Sequence, residues 1–124
     1  GGKQPNYDAP SIQHAAEQLE KYGLKSLMMV DCSHANSMKD FKRQVDVCAN
    51  VSSQIAEGED RIMGVVLESH LVEGRQDVIE GQPLTYGQSV TDACISWETT
   101  EGCLKDLAEA VRKRREIKGQ QASA

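Results

Sequence analysis

Residues 62–70 have the sequence IMGVVLESH, in which six apolar or small residues stand directly before three polar ones. A continuous apolar run of this length, without alternation, is typical of a strand that is buried on both faces of a parallel sheet. Residues 27–34, LMMVDCSH, show the same arrangement earlier in the chain. The two stretches predict two buried parallel strands, each followed by side chains that can carry chemistry.

The segments around these strands have the spacing of helices. Apolar residues recur at three- and four-residue steps over residues 11–22 and again over residues 41–55, which predicts two amphipathic helices. A third short strand is expected over residues 89–95, and a third helix is expected to begin at Thr99 or Thr100. The connection between the second and third predicted strands, residues 70–88, is longer than most loops in compact domains and is a candidate lid or binding loop.

This order of helices and strands predicts an α/β fold with a parallel sheet and right-handed crossovers. Three strands cannot close a barrel, so the pattern fits about three β/α units from the C-terminal portion of a (β/α)8 TIM barrel, which needs about 250 residues. A flavodoxin-like sheet is the competing architecture. We expect residues 1–124 to be one segment of a single catalytic domain, with residues 117–124 forming a disordered tail.

Composition argues against some classes of partner. Fourteen Lys and Arg oppose nineteen Asp and Glu, and the resulting net charge of -5 disfavours nucleic-acid binding. The sequence contains no apolar run of the roughly 20 residues that a membrane helix needs and no signal-peptide pattern, so a cytoplasmic protein without a membrane partner is expected. The four cysteines form no Cys-x-x-Cys pair and are expected to be reduced thiols.

Potential metal ligands accompany all three apolar runs: His34 follows the first, Glu68 follows the second and Asp92 lies within the third. The carboxyl ends of parallel strands meet on one face, and an imidazole with two carboxylates suits a divalent cation. Each residue alone also fits a structural role, as a hydrogen-bonded histidine or a loop-capping carboxylate. Asp31 is expected either to orient His34 or to cap the following helix.

Four motifs occur in order along the chain: GGKQPNY at residues 1–7, DCSHANS at 31–37, ESHLVEG at 68–74 and YGQSVTDACI at 86–95. Together they resemble class I 3-deoxy-D-arabino-heptulosonate 7-phosphate (DAHP) synthase. The resemblance spans essentially the whole chain and corresponds to about the last third of that enzyme. Because the chain also begins without a Met, it is interpreted as a truncated piece.

The resemblance implies a TIM barrel that condenses phosphoenolpyruvate with erythrose 4-phosphate and releases phosphate, as the first step of the shikimate pathway to aromatic amino acids. It also implies a homo-oligomeric full-length enzyme with a divalent metal of the Mn, Fe, Co or Zn class, held by a Cys, a His, a Glu and an Asp. The last three ligands fall on His34, Glu68 and Asp92, and His34 and Asp92 are also the expected catalytic residues.

The sequence departs from the family pattern at Cys32, where an aromatic residue is common, and at Ser96, where Gly is common. None of the four cysteines matches the family's Cys ligand, which belongs to the portion that this sequence lacks, together with most of the cations that bind phosphoenolpyruvate. The fragment alone is therefore expected to be inactive. A flavodoxin-like interaction module without chemistry and another metal-dependent barrel aldolase or hydrolase are the alternative functions.

Overall fold

Two parallel strands, β1 (Met28–Asp31) and β2 (Ile62–Val66), pair side by side in the computed structural model, which describes residues 3–123 and side chains as far as residue 120. Val30 lies opposite Val65, and an irregularity in the register falls between Met28 and Met29. Both predicted strands are present and parallel, but the expectation that they are buried on both faces is wrong: Val30 and Ile62 are buried, whereas Met29 and Met63 are 57% and 65% exposed.

The described residues form three α-helices: α1 (Ala9–Lys21), α2 (Arg43–Ala56) and α3 (Trp97–Ser123). The helix α1 begins where the Asp8 carboxylate accepts hydrogen bonds from the Ser11 hydroxyl, at 2.6 Å, and the Ser11 amide, at 3.4 Å. Before α2, a separate 3₁₀ helix (His34–Ser37) is followed by Met38 and Lys39, both with positive φ. This left-handed backbone ends the 3₁₀ helix and delays the start of α2.

The predicted third strand is much shorter than expected. The strand β4 comprises Ile95–Ser96 and pairs in parallel with Ser69–His70 (β3) to form a second two-stranded sheet, while Ser89 and Cys94 form isolated bridges. The expectation of a strand over residues 89–95 is wrong because hydrogen bonds within the segment replace hydrogen bonds to a neighbouring strand. The Thr91 amide, for example, donates to Ser89 Oγ at 3.1 Å. The Thr99 amide donates to Ser96 Oγ at 3.2 Å, so α3 begins earlier than predicted.

The connection after β3 is ordered by its own hydrogen bonds. The Gln76 side chain binds the backbone of Thr85 twice, donating to the carbonyl at 2.7 Å and accepting from the amide at 2.8 Å. The Val72 amide donates to the Gly87 carbonyl at 2.9 Å, and the Cys94 and Gly74 backbones exchange a pair of bonds at 2.8 and 3.1 Å. The connection therefore folds back on itself beside the sheet.

The helix α3 continues to Ser123, so residues 117–123, expected in the tail, are helical, while Ala124 lies outside the described residues. Hydrogen bonds and an ion pair join the second half of α3 to the segment around the start of β2. Arg114 Nη1 donates to the carbonyls of Glu59 and Ile62 at 3.0 and 3.1 Å, and Lys118 Nζ lies 2.7 Å from Asp60 Oδ2. None of the helices in residues 3–123 is long and apolar enough to cross a membrane.

The core forms between α2, α3 and the strands, which pack their buried side chains into one cluster. Its fully buried members include Val47, Val51, Ile62 and Ile95. All four cysteines are free and buried, as the sequence predicted for reduced thiols. Burial is the main cause that raises the pKa of the Cys103 thiol to about 12, which makes it a poor nucleophile near neutral pH.

We expect Arg114→Met to lower the free energy of unfolding by about 1.5–3 kcal/mol, because two hydrogen bonds from a charged donor to backbone carbonyls are lost. Urea denaturation followed by circular dichroism measures the change. Arg115→Met is the matched control, since Arg115 is exposed on the same helix and loses the same charge. Equal destabilisation by the two substitutions would contradict this role for Arg114.

The same segment holds a pH-dependent pair. Arg61 donates to both carboxylate oxygens of Glu59 at 2.7 and 2.8 Å, and these bonds hold the pKa of Glu59 below its ordinary value. The stabilisation is therefore complete above the ordinary pKa of a glutamate and is lost as the pH falls through the lowered pKa of Glu59. We expect Glu59→Gln to lower the free energy of unfolding by about 1 kcal/mol at pH 7. This difference from the unsubstituted chain should shrink in acid. Glu57→Gln, at an exposed position, should show no such trend.

Candidate metal centre

His34 lies just beyond the end of β1, and Asp31 holds its imidazole. The Asp31 Oδ2 atom lies 2.8 Å from His34 Nδ1, and Asp31 Oδ1 accepts the Ser33 amide at 2.8 Å. The backbone of His34 has a φ of 52°, in the left-handed region that costs a non-glycine residue about 1–3 kcal/mol. These bonds stabilise the strained turn and direct Nε2 away from Asp31.

Glu68 follows β2 and is the least exposed of the three predicted ligands, at 22% of its side-chain surface. The Ser33 hydroxyl donates to Glu68 Oε2 at 2.6 Å, while Glu68 Oε1 lies 3.2 Å from His34 Nε2. One carboxylate oxygen is thus held by Ser33 and the other faces the imidazole. Ser33 was not among the predicted site residues, although it lies next to His34 within the motif at residues 31–37.

Asp92 reaches the site from a turn rather than from a strand. Its Oδ2 atom lies 3.5 Å from His34 Nε2, and one ligand atom from each of His34, Glu68 and Asp92 lies within 4.8 Å of the others. Arg75 Nε supports the turn by donating to the Thr91 carbonyl at 2.8 Å. The structure therefore brings together the three residues that the sequence selected, although the strand assigned to Asp92 is wrong.

The electrostatics of this cluster favour a cation at its centre. The hydrogen bond to Asp31 is the main cause that raises the pKa of His34, and the charges of Asp31, Glu68 and Asp92 act in the same direction. A neutral imidazole that donates Nδ1–H to Asp31 would turn the lone pair of Nε2 toward two carboxylates. Either a proton or a metal ion between Nε2 and these oxygens removes that repulsion.

The donor set fits a divalent metal ion. It offers one imidazole nitrogen and two carboxylate oxygens, a mixture that such ions accept. The carboxylate of Asp31 on Nδ1 is the usual partner of a metal-binding histidine, because it fixes the ring and leaves Nε2 for the ion. The donors open into a cleft of about 270 Å³ that Lys39, Phe41 and Arg75 also line.

Comparison with known proteins places these residues in a family. The DAHP synthetase I family model matches residues 1–105. The chain is 56% identical over 115 residues to the Phe-sensitive phospho-2-dehydro-3-deoxyheptonate aldolase of Escherichia coli strain K12, which covers 93% of the chain and 33% of that relative. It is 53% identical to the phospho-2-dehydro-3-deoxyheptonate aldolase of Haemophilus influenzae, over 93% of the chain and 32% of that relative.

A solved structure gives the same result. The phospho-2-dehydro-3-deoxyheptonate aldolase of Francisella tularensis SCHU S4 superposes with a TM-score of 0.86 at 44% identity, covering 92% of this chain and 33% of that one. The chain thus spans about one third of the length of the relatives that it matches. The match over most of the chain, together with the described fold, shows that the chain belongs to the DAHP synthetase I family.

Proposed function

We propose that this chain is part of an enzyme that condenses phosphoenolpyruvate with erythrose 4-phosphate to DAHP and phosphate, the first step of aromatic amino acid biosynthesis. We further propose that His34, Glu68 and Asp92 are its metal ligands. The observation that carries the proposal is the meeting of these three residues, which lie far apart in sequence, within 4.8 Å of one another. The names of the relatives, which are all DAHP-forming aldolases, support the same activity.

The proposed architecture is the C-terminal portion of a (β/α)8 barrel, about three β/α units in a single catalytic domain. Parallel pairing in both small sheets and the order α1, β1, α2, β2 support it, although no helix separates β3 from β4. In such barrels, catalytic groups lie at the carboxyl ends of the strands. His34 and Glu68 lie just beyond the ends of β1 and β2, in agreement with that rule.

A divalent ion held here would act as a Lewis acid on the aldehyde oxygen of erythrose 4-phosphate. The residues of the chain orient the site: Asp31 fixes the ring of His34, and Ser33 fixes the carboxylate of Glu68. Asp92 is 68% exposed at the cleft, where its carboxylate can accept a hydrogen bond from a substrate hydroxyl or a water. A homo-oligomeric state remains a prediction.

The proposed substrates are strongly anionic, and the cleft contains few cations to bind them. Among the described residues that line it, Lys39 and Arg75 are the Lys and Arg side chains, and Arg75 already contacts Asp77 at 2.8 Å. The chain alone is therefore expected to be inactive. Family membership favours DAHP synthesis over a different metal-dependent aldolase and over a flavodoxin-like module without chemistry.

Metal binding tests the ligand assignment directly. We expect the chain to bind Co²⁺, and Glu68→Gln to weaken the affinity by about 100-fold or more, since even outer contacts of a metal site contribute about 10–100-fold. The visible absorption of bound Co²⁺ during titration measures the affinity. Glu73→Gln is the control, because Glu73 is exposed and does not line the cleft. Unchanged Co²⁺ affinity in Glu68→Gln would show that Glu68 is not a ligand.

A chimera tests the activity. The 115 matching residues of this chain would replace the corresponding third of the Escherichia coli Phe-sensitive aldolase, to which they are 56% identical. We expect the chimera to consume phosphoenolpyruvate only when erythrose 4-phosphate is present, and His34→Ala in the chimera to abolish that reaction. His14→Ala, at an exposed position of α1, should leave it unchanged. A folded, metal-loaded chimera without this activity would overturn the proposed function.

A further inference from the structure

Gln44 is a polar side chain in an unusual place. It lies in the first turn of α2, and none of its surface is exposed to solvent. A buried amide is costly unless its donor and acceptor are both satisfied. In this structure one residue satisfies both: Gln44 Nε2 donates to the Glu68 carbonyl at 3.2 Å, and Gln44 Oε1 accepts from the Glu68 amide at 2.8 Å.

These two bonds form beyond the last hydrogen bond between β1 and β2. The hydrogen bonds between β1 and β2 end where the Cys32 amide donates to the Val66 carbonyl at 2.9 Å, since the chain beyond β1 turns into the 3₁₀ helix. Glu68 therefore lies past the end of that ladder. The Glu68 carbonyl also accepts from the Ile95 amide at 2.9 Å, so this oxygen receives one hydrogen bond from the Gln44 side chain and one from the segment that forms β4. The Glu68 amide, in contrast, donates to Gln44 Oε1.

We infer that Gln44 is a positioning residue for the proposed metal centre, and this inference rests on the metal-ligand role of Glu68 proposed above. Gln44 fixes the backbone of Glu68, while Ser33 fixes Oε2 of its carboxylate. Only Oε1 is left directed toward His34, at 3.2 Å from Nε2. A metal site tolerates displacements of its ligands of only about 0.5 Å, so backbone support at Glu68 controls metal affinity without contact with the ion.

The test substitutes Gln44 and measures Co²⁺ binding by the chain. Gln44→Met keeps a side chain of similar length and removes both hydrogen bonds. We expect the Co²⁺ affinity to fall about 10–100-fold and the absorption spectrum of bound Co²⁺ to change, as for other groups that orient metal ligands. Val51→Ala is the matched control: Val51 is fully buried on the same helix, and its truncation loosens the core without removing a contact to Glu68.

Hydrogen exchange supplies a readout that needs no metal. In the unsubstituted chain, the Glu68 amide should exchange as slowly as the amides of β2. Gln44→Met should accelerate the exchange of this amide selectively, whereas Val51→Ala should affect the core amides generally. Rapid exchange of the Glu68 amide in the unsubstituted chain would overturn the inference even if Gln44→Met failed to fold.

The outcomes separate the two proposals. If the unsubstituted chain bound no Co²⁺, the metal-ligand proposal would fail, and the positioning role of Gln44 would fail with it. If the unsubstituted chain and Gln44→Met bound Co²⁺ equally with the same spectrum, the positioning role alone would be wrong. Equal loss of affinity in Gln44→Met and Val51→Ala would likewise overturn it, because general loosening of the core would then explain the effect.

Discussion

The imidazole of His34 lies among the carboxylates of Asp31, Glu68 and Asp92, and the rest of the site depends on this concentration of negative charge around one ring. Like charges at such short separations repel unless a cation lies between them. The hydrogen bond to Asp31 and the nearby carboxylates raise the pKa of His34, because a protonated ring supplies positive charge among these oxygens. A divalent ion would supply more charge and would bind the oxygens directly.

The residues that carry these charges come from segments that do not all belong to one sheet. His34 depends on a strained turn after β1, Glu68 follows β2, and Asp92 lies in a turn before β4. Glu68 lies beyond the last hydrogen bond between β1 and β2, and neutral side chains hold it instead. Ser33 binds the Glu68 carboxylate, and Gln44 binds its backbone. The precision of the site therefore comes from buried or partly buried polar groups around the ligands.

Sequence patterns correctly predicted the strands and helices that have clear residue signals at their ends. The apolar runs at 27–30 and 62–67 became β1 and β2, and Asp8 extended α1 by only two residues beyond the expected start. Such patterns failed over residues 89–95, where small and apolar residues suggested a strand. The Ser89 side chain bonded the local backbone there, Ser89 and Cys94 formed isolated bridges, and a strand formed at Ile95 and Ser96. Such competition depends on which partner lies nearby, and a sequence pattern does not contain that information.

The sequence by itself determined the family and the candidate ligands, because the residues around His34, Glu68 and Asp92 form recognisable motifs and each chemical type suits a metal. The tertiary structure decided how these side chains are held. It assigned Asp31 to the imidazole rather than to a helix cap, and it placed Gln44, 24 positions from Glu68, against the Glu68 backbone. Contacts of this kind arise from the packing of α2 beside the strands, a long-range event that local spacing and composition do not encode.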